Sequence, residues 1–313
     1  MSDHAGRLEP PRVAESTPRL SVVIPCYNSE ATIGEQLSAL ARQATRYSWE
    51  VLIADNGSRD NTVGIATSFS DRIPGLRVVD ATAHRGASYA RNAGARAARG
   101  TVLLFCDADD AMADGYLEAM GHALEQHQFV ACRYDFKRLN TSWLASARGN
   151  AGDGQGQGLA GGYCHPTLPY AGAGGLGIIK SVHDAVGGFD MTLKAMAGQE
   201  DTDYCIRVQL AGTPLVFVPE AVMHVRFRAT VPGVFKQAWA WAESGAHVQR
   251  RYVPDAVTPS FGRMAYDLAR HLGWKLLRVR TRTDLAQWIW LTGWCGGLLS
   301  ARSARRTGER RRE

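Results

Sequence analysis

The sequence predicts an α/β fold: a mostly parallel sheet with helices on both faces, followed by a helical C-terminal extension. Three observations carry this. Short continuous apolar runs alternate with stretches of helical period, as expected of strands buried on both faces. Polar turns fall at the carboxyl ends of those runs, where such sheets bind ligands. The chain has 313 residues, 45% apolar and 21% charged, enough for one large α/β domain or two ordinary ones with a buried core.

The elements follow in order. Leu20 to Ile24 is a β-branched run stopped at Pro25, and a CYN turn leads to an amphipathic stretch from Glu30 to Gln43 with apolar Ile33, Leu37 and Leu40. Val51 to Ala54 repeats the strand, and DNGSRDNT supplies the turn, with Asp60 placed to cap a helix through Phe69. Leu76 to Val79 is a third strand, followed by a helix from Ala87 to Arg99 closed by Gly100. Thr101 to Cys106 is the fourth strand, and Asp107, Asp109 and Asp110 come directly after it. A helix is expected over 114–127. Residues 149–162, half of them glycine, carry no apolar period and predict a mobile backbone. A second glycine cluster runs from Gly172 to Gly177. Beyond it a helix is expected over 180–186, a turn at Gly187-Gly188-Phe189-Asp190, a helix over 201–210 ended by Gly212, and a strand over 215–218.

Composition excludes several classes. The six cysteines form no CxxC pair and no dense framework, which argues against a zinc ribbon or a disulfide scaffold and for a reducing compartment. Cys26 and Cys106 flank the expected crevice without a histidine beside them, so they read as core. The N-terminal segment is polar and proline-rich, without the apolar stretch of a secretory signal. The net charge of +6 is concentrated at the other end: residues 274–313 hold ten Lys/Arg against three Asp/Glu, leaving the remainder near neutral. A basic face for nucleic acid is therefore not expected. The charge-free stretch from Leu285 to Ala301, with Gln287, Thr292 and three glycines, is at the short limit for a membrane-spanning helix and is not read as a span. Trp274, Leu276 and Leu277, then Trp288, Ile289, Trp290, Leu291 and Trp294, with arginines on both sides, suit either an anionic membrane interface or a helix packed on the domain or on a second subunit.

Asp107, Asp109 and Asp110 are the strongest chemical signal. Closely spaced carboxylates repel one another unless a hard cation or solvent screens them, so the cluster reads either as a Mg2+ or Mn2+ site or as a solvated turn. Glu200 and Asp201 open a helix, where they either favour the positive end of its dipole or meet an acceptor hydroxyl as a general base. Asp203 reads as an ion-pair partner of Arg207 one turn later. Gly172 to Gly177 matches G-x-G-x-x-G but lacks the preceding first strand of a dinucleotide site. Those glycines read as loop or as a close backbone approach to an acceptor.

The ordered segments SVVIPCYN, ADNGSRDNT, RGASYARNAGARAARGTVLLFCDADD and GGFD followed by GQEDTDYCIRVQLAG resemble the family 2 glycosyltransferases with the GT-A fold, over roughly residues 20 to 225. That resemblance implies an inverting transfer of a sugar from a nucleotide-diphosphate donor. It implies that Asp55 contacts the nucleotide base, with Pro25, Tyr27 and Asn28 lining the same end of the pocket, and that Arg91 approaches the diphosphate. Asp107 and Asp109, with Ala108 between them, match the D-x-D pair, in which the second carboxylate binds the metal and the first contacts ribose or metal shell. Asp201 matches the catalytic base, with Glu200 beside it. Asn56 stands where many members have a second Asp. His224 is either structural or completes the metal site.

The expected organisation is a disordered arm over 1–17, a catalytic domain over 18–230 with nucleotide-binding half 18–130 and acceptor half 160–230, a helical extension over 231–300 and a basic tail over 301–313. The expected activity is metal-dependent transfer, with Mn2+ or Mg2+, from a nucleotide-sugar donor to a glycan or lipid-linked acceptor. The expected location is cytoplasmic, peripheral to the inner face of an anionic membrane. A non-catalytic, membrane-associated adaptor binding sugar or nucleotide is the alternative, and a sugar-phosphate nucleotidyltransferase is a further one.

Overall fold

In the computed structural model, which describes residues 17–149, 159–160, 164–193, 199–254 and 261–309, the βα alternation is realised in sequence order. β1 (Leu20–Cys26) leads to α1 (Ile33–Leu40), β2 (Trp49–Asp55) to α2 (Thr62–Thr67), and β3 (Arg77–Asp80) to α3 (Ala87–Ala97). β4 (Val102–Phe105) and the two-residue β5 (Ala111–Met112) flank the acidic turn, and α4 (Tyr116–Gln126) follows. The second half contains β6 (Phe129–Asp135), α5 (Ser142–Gly149), β7 (Leu176–Ile179), α6 (Lys180–Ala185), α7 (Glu200–Leu210) and β8 (Val216–His224). Three helices end the chain: α8 (Val231–Tyr252), α9 (Phe261–Leu276) and α10 (Arg282–Glu309).

The strands form one eight-stranded sheet in the order β3-β2-β1-β4-β7-β6-β8-β5. The first four pair in parallel, β7 runs antiparallel between β4 and β6, and β6 pairs in parallel with β8. Both faces of the central strands are covered. Ile24, Val22 and Leu104 pack with α1 and α4 on one side, while Val23, Phe105 and Ile178 pack with Phe189 and Tyr204 on the other. Helix α3 lies close against β1 because Gly94 presents no side chain there, and a Cβ at that position would run into Val23.

The structure adds elements that periodicity did not indicate. β6, β7 and the short β5 were not expected. β7 begins inside the glycine cluster, and β6 turns charged after Cys132. β8 continues six residues past Val218, the expected end. Its register against β6 shifts between Cys132 and Arg133, so that Pro219 sits at a bulge, where a missing N–H is tolerated. The last helix runs on to Glu309, into the segment expected as a basic tail. The expected arm over 1–17 lies, but for Thr17, outside the described residues, as does most of the glycine-rich stretch over 149–162.

The aromatic stripe of α10 is packed inside the protein. Trp288, Ile289 and Trp290 meet Leu144, Val234, Phe227 and Phe235, which favours the packed-helix reading of this segment. The glycines of the same stretch explain how. Gly293 faces the Phe235 carbonyl, Gly296 the Trp239 ring and Gly297 the Trp239 carbonyl, each so closely that a Cβ would collide. The residues that weakened this stretch as a membrane span are those that let α10 seat on α8. Among the described residues no helix is long and apolar enough to cross a membrane. Gly297→Leu is expected to overpack this contact at a cost of about 1–3 kcal/mol, measured as a lower thermal midpoint. An unchanged midpoint would mean that the two helices do not approach so closely.

Candidate active site

β1 lies between β2 and β4, where the strand order reverses, so the carboxyl ends of these strands border one crevice. The cleft there has a volume of about 1440 Å³. It brings together Pro25, Tyr27, Asn28, Arg91, Asp107, Ala108, Asp109, Glu200 and Asp201, residues separated by more than half the chain.

At one end, two βα turns are stitched together. Asn28 has φ of 50°, the left-handed region that asparagine tolerates. Its Oδ1 accepts from the N–H of Arg59 at 2.8 Å, and its own N–H donates to Ser58 Oγ at 3.0 Å. Asp55 accepts from the N–H groups of Gly57 and Ser58, each at 3.2 Å, so its carboxylate shapes the turn and stands beside the cleft rather than among its lining residues. Asn61, rather than Asp60, is the N-cap residue of α2, but Asp60 accepts from the N–H of Thr62, the first residue of that helix, and from the N–H of Glu30. Tyr27 is 51% exposed at the rim, with the Arg85 guanidinium 4.8 Å from its ring centre. The residue that departs from the family pattern, Asn56, is buried and fully occupied. Its Nδ2 donates to the carbonyls of Ala81 and His84, and its Oδ1 accepts from the N–H of Gly86. An Asp here could accept but not donate, so the amide suits this scaffold.

The acidic turn after β4 forms the centre. Asp107, Asp109 and Asp110 each place a carboxylate oxygen within 4.8 Å of the others. Burial, and then repulsion from Asp107, pushes the proton affinity of Asp109 up and that of Asp110 far up. The donor set is all carboxylate oxygen, which fits a hard divalent cation such as Mg2+ or Mn2+. The glycine cluster takes part: Gly174 lies so close that an added Cβ would come within 2.8 Å of Asp107 Oδ2. Gly172 accepts at its carbonyl from the Tyr134 hydroxyl at 2.7 Å. Cys26 and Cys106 are buried with thiol pKa values pushed up, as core cysteines.

His224 is not part of this cluster. It lies at the end of β8 with Nδ1 2.7 Å from Asp135 Oδ2, and the structural reading of this histidine is the one the geometry favours. The residues just beyond it do reach the site. The N–H of Arg226 donates to Asp110 Oδ1 at 2.9 Å, its Nε donates to the Asp109 carbonyl at 3.0 Å, and Arg228 lines the cleft. The pair of arginines directly after a strand, in HVRFR, was the available signal for them.

Arg91, on α3, is buried between two acids. It donates to Asp107 Oδ1 at 2.7 Å and to Glu200 Oε1 at 2.9 Å, so it spans from the acidic turn to the start of α7. Asp201 follows Glu200 and faces the cleft, accepting from the N–H of Thr202 at 2.7 Å. Burial, then the neighbouring charge of Glu200, raises its pKa to about 7. Asp203 takes the structural role expected of it. It is fully buried and accepts from Arg207 Nε, Arg251 Nη1 and the Tyr252 hydroxyl, all at 2.7 Å, which fastens the end of α8 to the helix that carries Asp201. The opposite wall comes from the C-terminal helices, whose Trp241, Trp290, Leu291 and Trp294 line the same cleft. The Trp241 and Trp290 rings meet edge to face at 5.5 Å.

The profile described as glycosyl transferase family 2 matches residues 21–187, more than half of the chain. The glycosyltransferase YfnE of Bacillus subtilis (strain 168) is 35% identical over 122 residues, 39% of this chain and 31% of the relative. An Escherichia coli UDP-Glc:alpha-D-GlcNAc-diphosphoundecaprenol beta-1,3-glucosyltransferase, WfgD, is 35% identical over 91 residues, 29% of this chain and 35% of the relative. The matched region thus spans about a third of the length of each of these curated relatives. Among solved structures, the mannosyltransferase PcManGT from Pyrobaculum calidifontis, in complex with GDP-Man and Mn2+, aligns over 91% of this chain and 88% of its own. Its TM-score is 0.55 at 16% identity, a likeness of fold. The architecture is the GT-A type, and the match across residues 21–187 establishes that this chain belongs to the family 2 glycosyltransferases.

Proposed function

We propose that the protein transfers a sugar, with inversion, from a nucleoside diphosphate donor to a hydroxyl of a glycan or lipid-linked acceptor at the inner face of a membrane. The observation that carries this reading is one cleft with two unlike acidic centres. An oxygen donor set follows β4, and at the start of α7 a carboxyl group has its pKa raised to about 7. A base poised near neutral pH can take the proton of an attacking hydroxyl and remain ionised for part of the enzyme at pH 7. The catalytic unit would comprise residues 18–230, with the C-terminal helices forming the acceptor side of the cleft.

In this reading the turns at Asn28 and Asp55 hold the nucleoside, with Tyr27 and Pro25 at the rim. Asp109 and Asp107, with Asp110 behind them, would hold Mg2+ or Mn2+, which when bound offsets charge developing on the departing diphosphate. Arg226 and Arg228 add positive charge on the same side. Arg91 orients Asp107 and Glu200 rather than offering its guanidinium freely to the donor. Glu200 is a positioning residue whose charge raises the proton affinity of Asp201, and Asp201 removes the acceptor proton as the new bond to the anomeric carbon forms. The bond to the diphosphate breaks on the opposite face, so no covalent intermediate is needed. The indole wall of Trp241, Trp290 and Trp294 would cover the apolar face of the acceptor.

Three outcomes are expected. Nucleoside diphosphate release from a panel of UDP-, GDP- and dTDP-sugars should occur with one donor, require Mn2+ or Mg2+, and disappear with EDTA or in Asp109→Ala. If no donor binds even with Mn2+, the non-catalytic adaptor becomes the better reading. Asp201→Asn should lower kcat by roughly 10²–10⁴-fold while leaving donor affinity within a few-fold, and near-normal turnover would remove Asp201 from the role of base. Because the raised pKa belongs to a group that must be ionised to act, kcat/KM should fall as pH drops through about 7, and a profile flat from pH 5 to pH 8 would contradict the assignment.

A further inference from the structure

Helix α9 has two faces that folding alone does not explain. By the helical period, Ala265, Leu268 and Leu272 lie toward one side and are only partly exposed. The Leu272 carbonyl accepts from Trp288 Nε1 at 2.9 Å, which ties this helix to α10. On the opposite side Tyr266 and Trp274 are 66% and 57% exposed, and where the helix ends Leu276 and Leu277 are 49% and 74% exposed. Tyr266, Trp274, Leu276 and Leu277, four of the nine large apolar side chains exposed among the described residues, fall within twelve positions of this helix and the turn after it. A helix whose inner side is already packed gains nothing from an apolar outer stripe.

Cations surround that stripe. Arg270, Lys275, Arg278, Arg280 and Arg282 are all exposed, and the Arg278 guanidinium lies 4.5 Å from the centre of the Trp274 ring. Asp284, the nearest acid after them, is occupied in capping the start of α10, accepting from the N–H groups of Arg280 and Thr281 and from the Thr281 hydroxyl. An exposed Trp and leucines set among exposed Lys and Arg match an anionic lipid surface, where indole sits at the headgroup level and the cations meet phosphate. A soluble protein partner would not by itself call for this density of positive charge.

We propose that α9 and the turn to Arg282 form the surface by which the protein lies on an anionic lipid bilayer. The tryptophans of α10 do not serve this role, because they are spent on packing against α8 and on the wall of the cleft. This deepens the reading of a membrane-side acceptor, but its test uses no donor and no turnover, so the two can fail separately.

The test is co-sedimentation of the full chain with vesicles of phosphatidylglycerol and phosphatidylcholine in equal parts, against vesicles of phosphatidylcholine alone. Binding is expected only to the anionic vesicles and should weaken with added salt. Trp274→Ser with Leu277→Ser, and separately Lys275→Glu with Arg278→Glu, should each weaken it at least ten-fold, since each surface cation contributes a factor of about five. Circular dichroism and the thermal midpoint should stay unchanged in both double variants, because all four side chains are exposed. Binding that survives both variants, or equal binding to neutral vesicles, would overturn the proposal. So would a concentration-dependent dimer, detected by light scattering, that Leu277→Ser abolishes, because the stripe would then be covered by a second copy.

Discussion

A guanidinium with almost no access to water holds the candidate site together. Arg91 reaches from α3 to Asp107 after β4 and to Glu200 at the start of α7, and these three elements frame the cleft. Burial works against its charge, and the two carboxylates more than offset that cost and keep it protonated. Its Nε is buried without a hydrogen-bond partner, which shows that the ion pairs, rather than full hydrogen-bond satisfaction, fix its position. Breaking such a buried pair by removing one partner costs about 3–5 kcal/mol, because the acids left behind would face one another unscreened.

Arg91 neutralises only two of the carboxylates it gathers. Asp109, Asp110 and Asp201 keep raised proton affinities, so the fold compensates their ionised forms only in part, Asp110 through the N–H of Arg226. Near β4 that partial compensation suits a divalent cation, and near α7 it suits a base. One helix carries both an acid that opens on the cleft and a structural one: Asp201 faces the cleft, whereas Asp203 is fully buried among Arg207, Arg251 and Tyr252. The second of these fixes the first, since it pins α7 to α8 two residues away.

The C-terminal helices are thus part of the site rather than an appendage. α8 and α10 approach closely at Gly293, Gly296 and Gly297, and this contact brings Trp290 and Trp294 to the cleft beside Trp241. α9 is left outside, joined to α10 and bearing its apolar stripe outward. The tryptophans of the C-terminal region therefore differ in place: Trp241, Trp290 and Trp294 line the cleft, Trp239 and Trp288 pack between helices, and Trp274 faces solvent. No period in the sequence separates them, because only the α8–α10 contact decides which indoles are covered.

The sequence by itself determined the βα order, the four parallel strands, the acidic turn after the fourth and the carboxylates that open α7. Each is a local matter: apolar continuity marks a buried strand, and polar residues at its carboxyl end mark the crevice. Tertiary structure decided what each of these groups does. It showed that Arg91 is occupied by two acids, that Asn56 is an internal tie, that His224 pairs with Asp135, and that Arg226 meets Asp110 across 116 positions of chain. It also decided the antiparallel half of the sheet, where β7 starts within glycines and β8 continues past a proline at a bulge. Pairing partners and charge partners are chosen by distance in space. A chain read one residue at a time carries the side chains but not the distances between them.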